Sequence, residues 1–189
     1  MPGDALRAVL LGPPGSGKGT QAERLAAVLG VPAISTGEML RQAVAQGTEL
    51  GERVERVMAA GELVDDGLMA EVVEKRLARA DAVRGFLLDG YPRTSVQAAT
   101  LDGLLEARRE RLDAVVLLDV PEETLVRRAL NRQRADDREE VVRERLRVYR
   151  EKTAPLIEHY HRRSLLLRVD GDRPVEDVTR RILSAMGKG

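Results

Sequence analysis

Short apolar runs alternate along this chain with longer stretches in which apolar and polar residues recur at helical spacing. The apolar runs have the length and composition of buried parallel strands, and they cover residues 8–11, 31–35, 85–88, 114–118 and 164–169. The amphipathic stretches between them predict helices over residues 17–29, 37–46, 49–60, 67–80, 94–109, 121–132, 138–160 and 174–186. Strands that alternate with helices predict an α/β fold of three layers, in which helices flank a central parallel sheet of five strands.

A glycine-rich turn over residues 12–20 lies between the first predicted strand and the first predicted helix. Its backbone N–H groups, the positive end of the helix and the charge of Lys18 together suit a phosphate group. The spacing of the glycines and of Lys18 matches the Walker A pattern of P-loop NTPases, although Gly19 stands where that pattern has Ser or Thr, and a hydroxyl follows only at Thr20. The turn therefore predicts binding of a nucleoside triphosphate.

Other polar residues follow strands at the same predicted edge of the sheet. Asp89 ends a strand beside the phosphate loop, where a carboxylate can hold Mg²⁺, although an aspartate before glycine is also common in plain turns. Arg93 follows closely and can clamp a second phosphate through two hydrogen bonds. Thr36 and Arg41 come after the second predicted strand, so ligands beyond the carboxyl ends of the strands would meet all of these residues.

Arginines are dense between two of the later predicted helices. Arg128 and Arg132 share a helix face, and Arg132 and Arg134 lie at the junction of the two helices. Such an arginine-bearing tip suits a clamp that closes over phosphates. RNA binding is the competing interpretation, and the zero net charge and the aromatic content of 2% argue against it.

Composition narrows the class of protein. The 189 residues suit a single domain, and the absence of cysteine excludes disulfides and thiolate metal sites. The first residues lack the apolar stretch of a signal peptide, and no segment is apolar enough to span a bilayer. We therefore expect a soluble cytoplasmic protein that binds neither membranes nor nucleic acid.

Four segments, taken together and in order, resemble the adenylate kinase family over nearly the whole chain. They are residues 12–20, 35–41, 85–97 and 132–145. The resemblance implies a P-loop NTPase fold and a reversible, Mg²⁺-dependent phosphoryl transfer from ATP to AMP that gives two ADP, without zinc and in a monomer. It also implies one domain, divided into a core of residues 1–35, 65–131 and 139–189, a small helical NMP-binding insertion of residues 36–64, and a short lid of residues 132–138.

The resemblance assigns roles to individual residues. It places ATP on Gly15, Ser16, Gly17, Lys18, Gly19, Thr20, Arg128, Arg132 and Arg173. It places AMP on Thr36, Arg41, Glu62, Leu63, Val64, Gly90, Tyr91, Pro92, Arg93, Gln97, Arg134 and Arg145. The catalytic charges would be Lys18, Arg93, Arg132, Arg134 and Arg145, with Asp89 holding Mg²⁺ through water.

The chain departs from the family pattern at three points. Glu38 replaces the usual aspartate, and Tyr91 replaces the usual phenylalanine and would add a hydroxyl on the monophosphate side. Only Gln133 separates Arg132 from Arg134, so the lid is shorter than the short form of the family. Two other functions stay open at this point: a kinase for another nucleoside monophosphate, and a nucleotide-binding regulatory module without catalysis.

Overall fold

A computed structural model describes residues 6–132, 134 and 137–188 of the chain. Its centre is a sheet of five parallel strands in the order β2-β3-β1-β4-β5. The strands are β1 (Leu6–Leu11), β2 (Ala33–Ser35), β3 (Gly85–Asp89), β4 (Ala114–Asp119) and β5 (Leu166–Asp170). The predicted five-stranded parallel sheet is therefore confirmed.

Helices connect consecutive strands. Their bounds are α1 (Lys18–Leu29), α2 (Thr36–Ala45), α3 (Glu49–Ala60), α4 (Asp66–Leu77), α5 (Ser95–Ala107), α6 (Glu122–Asn131), α7 (Glu139–Val148), α8 (Pro155–Arg162) and α9 (Val175–Ala185). A 3₁₀ turn (Ala80–Ala82) precedes β3. Within the described residues, no helix combines the length and the apolar character needed to cross a membrane.

The sheet is buried on both faces, as a parallel sheet requires. Successive residues of one strand point to opposite faces, so Val9 and Leu11 belong to one apolar cluster, whereas Ala8 and Leu10 belong to the other. The first cluster includes side chains of α4, α5 and α8, and the second includes side chains of α1 and α9. These two cores hold the carboxyl ends of the strands in place.

The single helix predicted over residues 138–160 is wrong in one respect, because the structure divides it. A π-helical segment (Tyr149–Thr153) separates α7 from α8, and Pro155 opens α8. Proline lacks the N–H that would continue the helical ladder, so the backbone changes its hydrogen-bonding pattern just before it. The segment brings Tyr149 and Thr153 to the wall of the cleft described below.

Candidate active site

The register of the sheet brings the predicted motifs to one edge. Asp89 pairs with Ser35 on one side and with Leu10 on the other, so the ends of β1, β2 and β3 lie next to one another. A cleft of about 360 Å³ opens at this edge, and its walls come from the phosphate loop, from α2 and α3, and from the arginines before and within α7.

The phosphate loop follows β1 and leads directly into α1. Gly17 precedes α1 in a left-handed conformation (φ 94°), and Gly15 has φ 84°. A Cβ at Gly15 would collide with the carbonyl oxygen of Leu125 in α6, so glycine is required there both for its conformation and for the close approach of α6. The loop thus presents the N-terminus of a twelve-residue helix to the cleft.

Lys18 lies over this loop and lines the cleft. Its Nζ donates to the carbonyl oxygens of Gly12 and Pro13, at 2.8 and 3.1 Å. Burial lowers the pKa of Lys18 to about 8, while the Asp89 carboxylate opposes that shift and nearby arginines reinforce it. A phosphate group bound in the loop would supply a negative charge that balances this ammonium group.

Arginines also line this cleft, and burial, together with the charges of neighbouring arginines, lowers the pKa of three of them. The pKa of Arg145 is lowered to about 10, first by burial and then by the charges of four arginines: Arg93, Arg132, Arg41 and Arg134. Burial, followed by the charges of Arg41 and Arg132, lowers the pKa of Arg134, and burial is the main cause that lowers the pKa of Arg93. So many cations around one cleft favour a multiply charged anion between them.

Asp137 organises part of this cluster. Its side chain is 1% exposed and accepts hydrogen bonds from Arg132 Nη2 at 2.8 Å and from the Arg134 backbone N–H at 3.0 Å. Arg145 Nη1 lies 3.7 Å from the same carboxylate. One buried carboxylate therefore holds three of the predicted site residues together.

Arg93 is held in place by hydrogen bonds of both its side chain and its backbone. Its Nε donates to the carbonyl oxygen of Gly90 at 2.8 Å, and its own carbonyl oxygen accepts from the Thr153 hydroxyl at 2.8 Å. Gly90 has φ 86°, and a Cβ there would meet Thr36 Oγ1 at 2.7 Å and Arg93 Nη2 at 3.0 Å. Glycine at this position lets the backbone, the hydroxyl and the guanidinium group crowd together.

Asp89 is the carboxylate placed to meet a metal ion. It is 9% exposed, and a Cβ on Gly19 would lie 3.8 Å from its Oδ2, so the carboxylate faces the start of α1. Nowhere in residues 6–132, 134 and 137–188 do three His, Cys, Asp or Glu side chains come together as a metal site. A single carboxylate beside a phosphate loop still fits Mg²⁺, which takes most of its ligands from phosphates and water.

The spacings Ser35-x-x-Glu38 and Thr94-x-x-Gln97 predict two capping boxes, in which the first and fourth side chains bind each other's backbone N–H groups, but each box is only half formed. Ser35 Oγ accepts from the backbone N–H of Glu38 at 3.3 Å, but the Glu38 carboxylate binds Arg41. Thr94 Oγ1 likewise accepts from the backbone N–H of Gln97 at 3.1 Å, whereas Gln97 Oε1 accepts from the backbone N–H of Arg93, one residue before the cap.

Most residues implied by the resemblance line this one cleft. Those present in its wall are Gly15, Gly17, Lys18, Gly19, Thr20, Thr36, Arg41, Glu62, Leu63, Val64, Asp89, Gly90, Pro92, Arg93, Gln97, Arg128, Arg132, Arg134 and Arg145. Ser16, Tyr91 and Arg173 do not line it. Ser16 is buried, and Arg173 lies on the surface with its Nε 2.7 Å from the Asp170 carboxylate. Gln133, Ala135 and Asp136 of the predicted lid lie outside the described residues.

Tyr91 differs from its sequence interpretation. The residue is 1% exposed and belongs to the core cluster, and among the described residues its hydroxyl has no hydrogen-bond partner. Burial, together with the charge of Asp66, raises its pKa to about 12. The ring thus fills core volume, and the residue does not line the cleft.

Sequence reasoning missed three residues that support the site. Asp137 and Thr153 hold the arginines as described above, and Asp66 binds the side chain of Gln97 (Nε2 to Oδ1, 2.8 Å). Thr153 and Asp66 each bind a residue from a distant part of the sequence. Asp137 binds arginines that are close to it in the sequence, and its role follows from its buried position beside the cleft. Asp137 had one signal, since it closes the Arg134–Asp137 segment that the resemblance already included.

This fold and this site define a class of protein. A parallel sheet with a phosphate loop after its first strand and a second cationic cluster across the same cleft is the architecture of a P-loop phosphotransferase that acts on nucleotides. Comparison with known proteins agrees. The family model described as adenylate kinase matches residues 10–165.

Named relatives match the chain over nearly its whole length. An adenylate kinase of Xylella fastidiosa (strain 9a5c) is 50% identical over 186 residues, covering 96% of this chain and 100% of the relative. Adenylate kinases of Stenotrophomonas maltophilia (strain R551-3) and Rhizobium meliloti (strain 1021) are 51% and 52% identical; the alignments cover 96% and 94% of this chain and 99% and 97% of the relatives. The chain belongs to the adenylate kinase family and is therefore a phosphotransferase.

Proposed function

We propose that this chain transfers the terminal phosphoryl group of ATP to AMP, reversibly, giving two ADP. Family membership supports the reaction, and one structural observation supports this cleft as its site. Lys18 and six arginines line the cleft, and burial, followed by the charges of neighbouring arginines, lowers the pKa of Lys18, Arg134 and Arg145, so the cleft has an excess of positive charge. Two nucleotides joined end to end through their phosphates carry the charge that would balance it.

The phosphate loop is proposed to bind ATP. The backbone N–H groups of Gly15 to Thr20 and the helix N-terminus would hold the β- and γ-phosphates, and Lys18 would add a full positive charge beside them. Arg128 and Arg132 would lie along the same nucleotide, and residues 132–138 would act as the short lid. Asp89 and Thr20 are the residues that would hold Mg²⁺, which would neutralise charge on the phosphates of ATP.

The other wall is proposed to bind AMP. Thr36 is the first residue of α2, and Arg41 lies within it; residues 62–64 and Gln97 line the same cleft. The insertion of residues 36–64 would therefore be the AMP-binding part, and the phosphate of AMP would meet Arg41 and Arg93.

The chemistry asks the protein to position two phosphates and to stabilise charge. The phosphate of AMP is already an oxyanion at neutral pH, so no general base is needed to activate it. Arg93, Arg134 and Arg145 would stabilise the charge on the equatorial oxygens of the transferred group. Enclosure of the cleft would keep water from replacing AMP as the acceptor.

The experiment is a coupled assay of ADP formation from ATP and AMP, with and without Mg²⁺, with UMP, CMP and GMP as other acceptors. Lys18→Met and Arg93→Ala are each expected to lower turnover by about a thousandfold or more. Arg180→Ala is the matched control, because Arg180 is exposed on α9, does not line the cleft and pairs with Asp177. Near-normal turnover in either site variant would remove that residue from the proposed mechanism.

Two outcomes would change the proposed reaction itself. A preference for UMP over AMP would make the chain a kinase for another nucleoside monophosphate. ATP binding without any ADP formation from AMP would make it a regulatory module.

We also propose that the chain works in the cytoplasm as a monomer on free nucleotides. On the described surface the large exposed apolar side chains are four valines from different parts of the sequence, Val28, Val83, Val96 and Val175, and this small number supports a monomer. Sedimentation equilibrium over a range of protein concentrations tests the oligomeric state.

A further inference from the structure

Gln97 belongs to a hydrogen-bond network that no sequence motif predicts. It is 2% exposed and lines the cleft. Its Oε1 accepts from the backbone N–H of Arg93 at 2.7 Å, and its Nε2 donates to Asp66 Oδ1 at 2.8 Å. The same carboxylate oxygen accepts from the Thr94 hydroxyl at 3.0 Å.

Neither hydrogen-bond partner of the Gln97 amide can both donate and accept. A backbone N–H can only donate, and a carboxylate can only accept. An amide turned by 180° would set its NH₂ group against the Arg93 N–H and its oxygen against the Asp66 carboxylate, so it would lose both bonds and face two repulsive contacts. The network therefore holds Gln97 in one of its two otherwise similar orientations.

The amide keeps one further N–H donor and one further lone pair on the oxygen, which can serve a ligand in the cleft that Gln97 lines. That pair matches an adenine edge, where the 6-amino group donates and a neighbouring ring nitrogen accepts. A 6-oxo purine has an acceptor at position 6 and would set its oxygen against Gln97 Oε1. Only a reversed amide could bind such a base.

We propose that Asp66 is a positioning residue which, by fixing the orientation of the Gln97 amide, makes the acceptor site select 6-amino purine nucleotides over 6-oxo purine nucleotides. This inference rests on the proposed function, because it assumes that the nucleotide bound on this side is the phosphoryl acceptor. Asp66 acts from the first turn of α4, 31 residues away from the side chain it orients.

The test compares AMP with IMP, because their bases differ at position 6 and in the protonation of the neighbouring ring nitrogen. The ratio of kcat/KM for AMP to kcat/KM for IMP is measured with ATP as donor. In Asp66→Asn the new amide can itself turn to donate to a reversed Gln97, so the remaining cost of reversal is at Arg93, where one bond is lost and two N–H donors face each other. We expect the ratio to fall about tenfold, mainly through KM, with kcat for AMP nearly unchanged.

Asp65→Asn is the matched control. Asp65 is the adjacent residue and caps α4 by accepting from the Leu68 backbone N–H at 3.0 Å, and asparagine caps helices as well as aspartate does. Its ratio should equal that of the wild type. Asp66→Ala is measured in parallel, and the ratio is judged on whichever Asp66 variant keeps the wild-type melting temperature.

A double-mutant cycle separates positioning from a structural effect. When Gln97 is already alanine, adding Asp66→Asn should leave the ratio unchanged, because the only route of action is gone. The proposal is overturned if the ratio in folded Asp66 variants stays within twofold of wild type, if both substrates weaken equally, or if Asp66→Asn changes the ratio equally in the Gln97→Ala background. A wild type that fails to phosphorylate AMP would refute the proposed function itself.

Discussion

Lys18 couples ATP binding to pH. Its ammonium group is buried against the phosphate loop, and burial is the main reason why its pKa lies at about 8, below the ordinary 10.5. Bound phosphates would stabilise the charged form and return the pKa toward 10.5 or above. A group whose pKa rises on binding takes up protons, so ATP should bind more weakly as pH rises through 8.

The size of the effect follows from those two pKa values. With a pKa of about 8, roughly three quarters of the free protein carries the charge at pH 7.5 and about 3% carries it at pH 9.5. Only the charged fraction is ready to bind, so the Kd for ATP should rise about 25-fold between these two pH values. At pH 8, binding should take up about half a proton per ATP.

Isothermal titration calorimetry with ATP in the absence of Mg²⁺ measures both quantities. Proton uptake is obtained from the dependence of the binding enthalpy on the ionisation enthalpy of the buffer. Lys18→Arg is the control, because a guanidinium group holds its proton more strongly than an ammonium group does, so its Kd should rise much less than that of the wild type over this range. The same increase in Kd in Lys18→Arg, or no proton uptake by the wild type at pH 8, would refute the reasoning.

Three further predictions concern stability, measured by urea denaturation. Gly51→Ala should destabilise the chain by about 1–3 kcal/mol, because a Cβ there would collide with the Ala43 carbonyl oxygen where α2 and α3 meet. Gly103→Ala, on the exposed face of α5, should instead stabilise it by about 0.5–1 kcal/mol. Equal effects of the two substitutions would contradict this steric argument. Asp137→Ala should cost about 2 kcal/mol, and Asp172→Ala, which breaks an exposed pair, should cost less than about 1 kcal/mol; a loss at Asp137 no larger than at Asp172 would show that the buried carboxylate contributes nothing special. Tyr91→Phe should be neutral or stabilise by up to about 1 kcal/mol, since among the described residues the hydroxyl has no partner, and a clear loss of stability would show that the hydroxyl is bound after all.

The phosphate loop was predictable because it is local. Its glycines, its lysine and the start of α1 are contiguous, so strand, turn and helix could be assigned from the order of the residues alone. The central strands β1, β3 and β4 were predictable for a related reason, since they are buried on both faces and are therefore mostly apolar, whereas the edge strands β2 and β5 are partly exposed. The ends of the elements were less certain; β5, for example, runs to Asp170 and not to Val169.

Gln97 marks the limit of such local reasoning. The sequence predicted a reciprocal cap with Thr94, yet the amide binds the backbone of Arg93 and the carboxylate of Asp66. No spacing rule connects Asp66 to Gln97, because they lie on different helices that meet only when α4 and α5 pack on the same face of the sheet.

The sequence by itself determined the order of strands and helices, the phosphate loop, the family and the basic residues that line the cleft, because these depend on neighbouring residues or on recognisable segments. Only the tertiary structure decided that Tyr91 faces the core, that Asp137 is buried among arginines and that Asp66 orients Gln97. Those outcomes depend on which helices pack against which edge of the sheet. Hydrogen bonds and charge interactions act over a few ångströms in space, and distance along the chain does not measure that separation.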